Sequence, residues 1–263
     1  MANIALIIAG GPGSRMHQDI PKQFLTVYER PVIVYTLEAF QRHPEIDAIA
    51  VVCIEGWEQV LRAYAKQFNI TKLEYVVTGG RNGQESIRNG VYELERHFDA
   101  DDIVLIHDAI RPMVSAEIIS DCIGKTKRYG NAVTVIPCAE AMLRTEDGEV
   151  SEGSFPRDKL KRTQTPQGFK IGKICDLHRR ALAAGITDSV ASCTLMIEMG
   201  EQVHFSSGSE KNIKLTTVED IDIFKALLNA TRSDWLKGID GGEYDCIVCL
   251  YLSASYISVM EVA

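Results

Sequence analysis

Residues 4–9, Ile4-Ala5-Leu6-Ile7-Ile8-Ala9, run directly into Gly10-Gly11-Pro12-Gly13-Ser14-Arg15-Met16, and Pro21-Lys22-Gln23 follows shortly after. The apolar run reads as a buried strand. The glycines let backbone N–H groups approach anionic oxygens without an intervening Cβ. Arg15 and Lys22 add the charge that those N–H groups alone cannot supply. No Lys-Ser/Thr pair follows the last glycine, so the stretch is not a P-loop. Met16 stands where a dinucleotide fingerprint needs its third glycine. The stretch therefore points to a nucleoside triphosphate held by another kind of fold, with Ala9, Gly10, Gly11, Gly13, Arg15 and Lys22 as its contacts.

Outward from this loop, apolar β-branched runs alternate with amphipathic stretches. Strands are predicted over residues 4–9, 48–53, 74–77, 103–107 and 132–137. Helices are predicted over 31–42, 58–68, 85–98, 116–128, 173–184 and 188–199. This order predicts an α/β fold, a Rossmann-like and mostly parallel sheet flanked by helices. Ligands in such sheets bind beyond the C-terminal ends of the strands. The glycine loop, Gly79-Gly80, and the pair Asp108 and Arg111 each leave such an end. Three clusters far apart in sequence thus meet on one rim.

Residues 138–166 interrupt the alternation, and the polar turn Thr145-Glu146-Asp147-Gly148-Glu149 marks them as a projecting β-arm. Further strands are predicted over 203–206 and 212–215. A closing helix is expected over 218–229, with Thr216 or Thr217 as its N-cap. The reading gives one domain over residues 1–230 and a tail of unassigned role over 231–263.

The chain has 263 residues, 46% hydrophobic and 24% charged, with a net charge of −8. That acidity argues against nucleic acid as a partner. It leaves room for a phosphorylated ligand, because a few local cations decide the field in a cleft. Seven cysteines without framework spacing fit reduced thiols in the cytoplasm. Cys246 and Cys249 form a lone CxxC, read as two thiols of an apolar segment. That segment is too short for a membrane span, and no signal peptide precedes the first strand.

Within the rim, Asp108 is placed to hold Mg²⁺ or to cap the following helix. Arg111 offers a planar fork for phosphate. His107 reads as a packed or hydrogen-bonded neighbour.

The strand-Ala-Gly-Gly-x-Gly-x-Arg-Met loop, Pro21-Lys22-Gln23-Phe24, His107-Asp108-Ala109-Ile110-Arg111-Pro112, Thr165-Pro166-Gln167 and Asn212-Ile213-Lys214-Leu215-Thr216 occur together in that order. In this they resemble the cytidylyltransferases of sugar-alcohol phosphates, over roughly residues 2–230. That family comprises the 2-C-methyl-D-erythritol 4-phosphate and ribitol 5-phosphate enzymes. The double glycine, Gln164 and Thr216-Thr217-Val218-Glu219-Asp220 look more like the ribitol branch.

The resemblance implies a Mg²⁺-dependent transfer from CTP to a polyol phosphate, with release of pyrophosphate. Arg15, Lys22 and Lys214 would be catalytic, and Gly80 and Ser86 would read the base. Asp108, Arg111, Arg157, Thr165, Thr187 and Lys214 would bind the acceptor. It further implies a homodimer in which the arm completes the neighbour's site. Ser86 could equally open a helix, Thr187 could N-cap one, and Lys214 could be a surface lysine. Two positions depart from the family: Gly83, where an arginine is usual, and Ala141, where a threonine is usual. Gly83 bears on the choice of base and Ala141 on the choice of acceptor. The alternatives are the methylerythritol phosphate enzyme and an inactive nucleotide-binding regulator or scaffold.

Overall fold

The computed structural model describes residues 1–11 and 20–237, with side chains described as far as residue 230. Gly13, Arg15, the CxxC cysteines and residues 238–263 lie outside the described residues. The chain divides into two compact units, Met1–Phe224 and Lys225–Ala263.

The first unit is built on seven strands: β1 (Asn3–Ala9), β4 (Ala48–Cys53), β5 (Leu73–Thr78), β6 (Ile103–Asp108), β7 (Asn131–Pro137), β10 (Lys161–Lys170) and β11 (Phe205–Ser207), in the order β11-β7-β10-β6-β1-β4-β5. Two short ladders stand outside this sheet, β2 (Thr26–Val27) with β3 (Arg30–Pro31) and β8 (Met142–Arg144) with β9 (Gly153–Phe155). Six sheet strands run one way, and β10 runs antiparallel to both of its neighbours, β6 and β7. The sheet is therefore mostly parallel, as the alternation predicted.

Successive residues of β1 serve opposite faces, the period of two that a pleated strand imposes. Ala5, Ile7 and Ala9 pack with residues of α1 (Val32–Arg42), α2 (Glu58–Gln67) and α4 (Ala116–Tyr129). Ile4 and Leu6 pack with α3 (Gly83–Leu94), α5 (Ile171–Ala183) and α6 (Ser192–Glu198). Both faces are covered, so the strands carry continuous apolar runs rather than alternating ones.

Four sequence expectations are corrected. Residues 161–166, expected in the arm, begin β10 and pair with β7 from Lys161↔Pro137 inward. Residues 212–215 form no strand, and their backbone is stitched to the loop after β6 by Leu215 N–H donating to Ile110 C=O at 2.9 Å. The helix expected from residue 188 begins at Ser192, because Thr194 Oγ1 accepts the Ala191 N–H at 2.8 Å and fixes the start there. The closing helix α7 spans Val218–Lys237, longer than expected. Asp220 accepts from Thr216 N–H, Thr216 Oγ1–H and Thr217 N–H at its start.

Candidate active site

Register brings the predicted clusters to one edge. Ile8 pairs with Asp108, Ala9 with Cys53, and Cys53 with Thr78, so β1, β4, β5 and β6 end side by side. Two neighbourhoods form there, one lined by glycines and one by charges.

The glycine side is made by Gly10, Gly79, Gly80 and the first turns of α3. A Cβ on Gly10 would lie 3.1 Å from Ser86 Oγ and 3.4 Å from Gly79 Cα, which shows how closely these backbones approach. A Cβ on Gly80 would collide with the Glu85 side chain and lie 2.9 Å from the Glu85 carbonyl carbon, so no other residue fits there without rearrangement. Gly80 N–H donates to Ser86 Oγ at 3.0 Å. Ser86 is buried and does not open the helix; Asn82 does, with its Oδ1 accepting Glu85 N–H at 2.8 Å. At Gly83 a side chain would find open space, and the nearby Arg81 is 91% exposed and paired with Glu85 at 3.0 Å.

Lys22 begins a short 3-10 turn, Lys22–Phe24. The next residue does work that its sequence did not announce. Gln23 is buried and its Nε2 donates to the carbonyls of Ala9 at 2.7 Å and Gly11 at 3.2 Å. It thereby ties the Lys22–Phe24 turn to the end of β1. Phe24 secures the turn from below by stacking on Trp57, with ring centroids 4.7 Å apart.

The charged side centres on Asp108. Its Oδ2 accepts from Arg111 Nε at 3.1 Å and from Lys214 Nζ at 3.1 Å. Burial pushes the Asp108 carboxyl up, but the charges of Lys214 and Arg111 outweigh it and hold the group below the usual carboxylate range. Arg111 is held from its other end by donating Nη1–H to Asn212 C=O at 2.8 Å. Asn212 in turn donates Nδ2–H to Thr165 C=O at 2.9 Å, and Gln164 donates to Ser209 C=O at 2.8 Å. These contacts explain why residues 212–215 leave the sheet: their backbone serves the site.

His107 is fully buried behind Asp108, and burial pushes its pKa down to about 4. Its Nε2 lies 3.2 Å from Arg111 C=O, which can only accept, so Nε2 carries the proton. Its Nδ1 then accepts from Thr165 Oγ1–H at 3.1 Å, and Thr165 Oγ1 itself accepts Asp108 N–H at 3.1 Å. A neutral imidazole thus ties three site residues together. The charged side gathers Asp108, Arg111, Thr165 and Lys214.

Arg157 and Thr187 are placed elsewhere. Arg157 is exposed at the root of the arm, donating to Ala139 C=O at 2.9 Å. Thr187 lies exposed in the loop after α5 and caps no helix; its carbonyl accepts from Asn82 Nδ2 at 3.1 Å, beside the glycine side. Ala141 is exposed on the arm. Gln23 and Asn212 stand in the quoted motifs but without a role of their own, and Gln84 had no signal at all, because each acts through a main-chain partner distant in the chain or hidden in a turn.

Asp108 supplies one carboxylate, and among the described residues no three His, Cys, Asp or Glu side chains gather as a metal cage. That donor set suits a Mg²⁺ that takes its remaining ligands from phosphate oxygens and water.

Two anion-friendly neighbourhoods on one rim are what a transfer between two phosphorylated substrates needs, and comparison with known proteins agrees. Residues 3–230 match the IspD family, 2-C-methyl-D-erythritol 4-phosphate cytidylyltransferase. A ribitol-5-phosphate cytidylyltransferase of Lacticaseibacillus paracasei is 43% identical over 226 residues, covering 85% of this chain and 97% of the relative. One from Vibrio parahaemolyticus is 42% identical, covering 88% and 98%. The 2-C-methyl-D-erythritol 4-phosphate cytidylyltransferase of Geotalea uraniireducens is 34% identical, covering 88% and 98%. The crystal structure of 4-diphosphocytidyl-2C-methyl-D-erythritol synthase from Anaerococcus prevotii superposes with a TM-score of 0.74 at 26% identity, covering 87% of this chain and 96% of that one. The chain belongs to the IspD family of cytidylyltransferases.

Proposed function

We propose that this chain transfers the cytidylyl group of CTP to ribitol 5-phosphate or a closely related pentitol phosphate, forming a CDP-alditol and releasing pyrophosphate. The observation that carries the reading is the Asp108–Arg111–Lys214 cluster, two cations on one carboxylate, beside a glycine-lined strand edge. The higher identity to ribitol-5-phosphate enzymes, 43% against 34%, supports ribitol phosphate as acceptor.

The chemistry follows from the charges. An acceptor phosphate oxygen attacks the α-phosphorus of CTP; a P–O bond forms, the bond to the β-phosphate breaks, and pyrophosphate leaves. Both partners are anions, so catalysis is a matter of offsetting repulsion and of positioning. Lys22, with Arg15, holds the triphosphate over the Gly10–Gly11 backbone. Ser86 and Gly80 read the cytosine edge. Arg111 and Lys214 receive the acceptor phosphate, with Asp108 keeping both cations oriented toward it. Asp108 would also hold Mg²⁺, which when bound neutralises charge on the phosphate oxygens.

We further assign a homodimer. Met142, Leu143, Val150 and Phe155 on the arm are 43–67% exposed, an apolar surface suited to a second copy. Arg157 on such an arm would reach the partner's acceptor phosphate, and Thr187, beside the glycine side of its own rim, would meet the acceptor where it approaches the nucleotide. A cytoplasmic location fits the free, buried thiols of Cys53, Cys122, Cys138, Cys175 and Cys193. Among the described residues no helix is long and apolar enough to cross a membrane.

Pyrophosphate release with CTP and Mg²⁺ tests the reading against ribitol 5-phosphate, 2-C-methyl-D-erythritol 4-phosphate, glycerol phosphate and hexitol phosphates, with UTP and ATP as nucleotide controls. The expected result is highest kcat/KM for ribitol 5-phosphate, lost in Lys22→Ala. Preference for methylerythritol phosphate would reassign the acceptor. Absence of release with every acceptor tried would favour a non-catalytic nucleotide-binding regulator.

A further inference from the structure

We infer that Gln84 is a positioning residue for acceptor specificity, fixing the loop after α5 to the helix turn that borders the nucleotide base. This rests on the proposed transfer, in which nucleotide and acceptor meet at this rim. Gln84 is buried and uses both ends of its amide on main chain: Nε2 donates to Ile186 C=O at 2.9 Å, and Oε1 accepts Ser189 N–H at 2.6 Å. Asn82 adds the bond from its Nδ2 to Thr187 C=O at 3.1 Å. Residues 186, 187 and 189 are thus held by two side chains of one helix start, about a hundred positions earlier in the chain.

The topology gives this strap its significance. Helix α3 starts at the C-terminal end of β5, so its first turns lie at the rim and carry Ser86. Helix α5 follows the antiparallel β10 and ends at that same rim, so the loop behind it stands beside the site. Because the backbone is held, the side chains of Thr187, Asp188 and Val190 are left exposed, Val190 by 95%. The loop's other anchors hold it to α5 and α6 rather than to α3: Ile186 N–H donates to Ala181 C=O at 2.9 Å, and Ser189 Oγ donates to Thr194 Oγ1 at 3.0 Å and to Glu198 Oε1 at 3.3 Å. Helix α6 is started by Thr194 without help from α3. Beneath the loop, both ring nitrogens of His178 and the hydroxyl of Ser192 are buried without partners. The amide of Gln84 therefore determines where the loop stands relative to the base pocket, and with it which acceptor fits between them.

Gln84→Met keeps the length of the side chain and removes both bonds, whereas Gln84→Glu keeps the acceptor for Ser189 N–H. With the full chain, KM is measured for CTP and for ribitol 5-phosphate, together with the preference for ribitol 5-phosphate over 2-C-methyl-D-erythritol 4-phosphate. In Gln84→Met the acceptor KM should rise about tenfold and the preference fall about tenfold, the scale of losing two modest hydrogen bonds. The CTP KM and kcat should stay within about twofold, and Gln84→Glu should recover part of the loss. An unchanged acceptor KM, or equal rises for both substrates, would overturn the inference. Amide exchange of Ser189 without substrate reads the strap separately. It should accelerate in Gln84→Met while the Ser86 amide does not change, and no acceleration would also overturn it. A wild-type chain that turns over no polyol phosphate would instead refute the proposed function, leaving the exchange result to decide the strap.

Discussion

Replacing His178 with leucine should flatten the acid side of the stability curve. His178 sits on α5, 1% exposed, with neither ring nitrogen partnered. Burial, followed by the charge of Arg88, pushes its pKa down to about 4. In the unfolded chain the value returns to about 6.5. Between those two values the unfolded chain binds a proton that the folded chain excludes, so stability falls as pH falls. Each such histidine contributes a slope of about 1.4 kcal/mol per pH unit, roughly 3 kcal/mol over the window. His107, also pushed down to about 4, titrates in the same window. The wild-type chain should therefore lose about 3 kcal/mol per pH unit near pH 5.5, and His178→Leu about half of that. At pH 7.5 the variant should be neutral or slightly more stable, because it removes two buried unpaired nitrogens and fills similar volume. Urea unfolding followed by far-ultraviolet circular dichroism from pH 4.5 to 7.5 reads both quantities. The window excludes carboxylates held low in the fold, such as Asp108 and Asp220, whose contribution is lost only below about pH 4. Equal slopes for variant and wild type would refute the reasoning, as would a loss above about 2 kcal/mol at pH 7.5.

Three more outcomes are expected. Thr165→Val leaves Asp108 N–H and His107 Nδ1 without a partner, and should cost about 1–3 kcal/mol in urea unfolding as well as lowering turnover; unchanged stability would show that the Thr165 hydroxyl links nothing. Gly90→Ala places a Cβ 2.7 Å from Val52 Cγ2 and 2.8 Å from both Leu6 Cδ atoms, so it should destabilise by about 1–3 kcal/mol through overpacking, and an unchanged midpoint would contradict the packing described. Arg157→Ala and Lys22→Ala should each be inactive, but chains mixed and reassembled should regain part of the activity; no recovery would remove the arm's role across a dimer.

The sequence disclosed those parts of the fold that a short window can carry. Residues 48–53 were predicted as a strand to the residue, because β4 is buried throughout and its apolar run is unbroken. The long strand β10 was missed. Its first half, Lys161-Arg162-Thr163-Gln164-Thr165, is polar and reads as a loop, since the first three side chains are exposed and Gln164 and Thr165 bond site residues rather than the core. Residues 212–215 failed in the opposite sense: an apolar alternation suggested a strand, yet Asn212 and Leu215 spend their main-chain groups on Arg111 and Ile110. For the site, glycines and charged residues were legible because their chemistry is local. Gln23, Gln84 and Asn212 were not, because an amide reveals its task only through its partners. In the case of Gln84 those partners lie more than a hundred positions away.

The single reversed strand separates two kinds of evolutionary freedom. Because β10 runs against β7, the chain leaves the sheet at Pro137 and re-enters it at Lys161, with both roots on the edge where Asp108 and Thr165 meet. Everything between those roots can lengthen, shorten or change sequence without shifting the register of a core strand. A residue such as Ala141, exposed on the arm, can therefore change without disturbing the core, whereas Gly10, Gly80 and Ser86 are locked by atomic contact. One side of the rim thus tolerates insertion and substitution, while the other is held by close backbone packing.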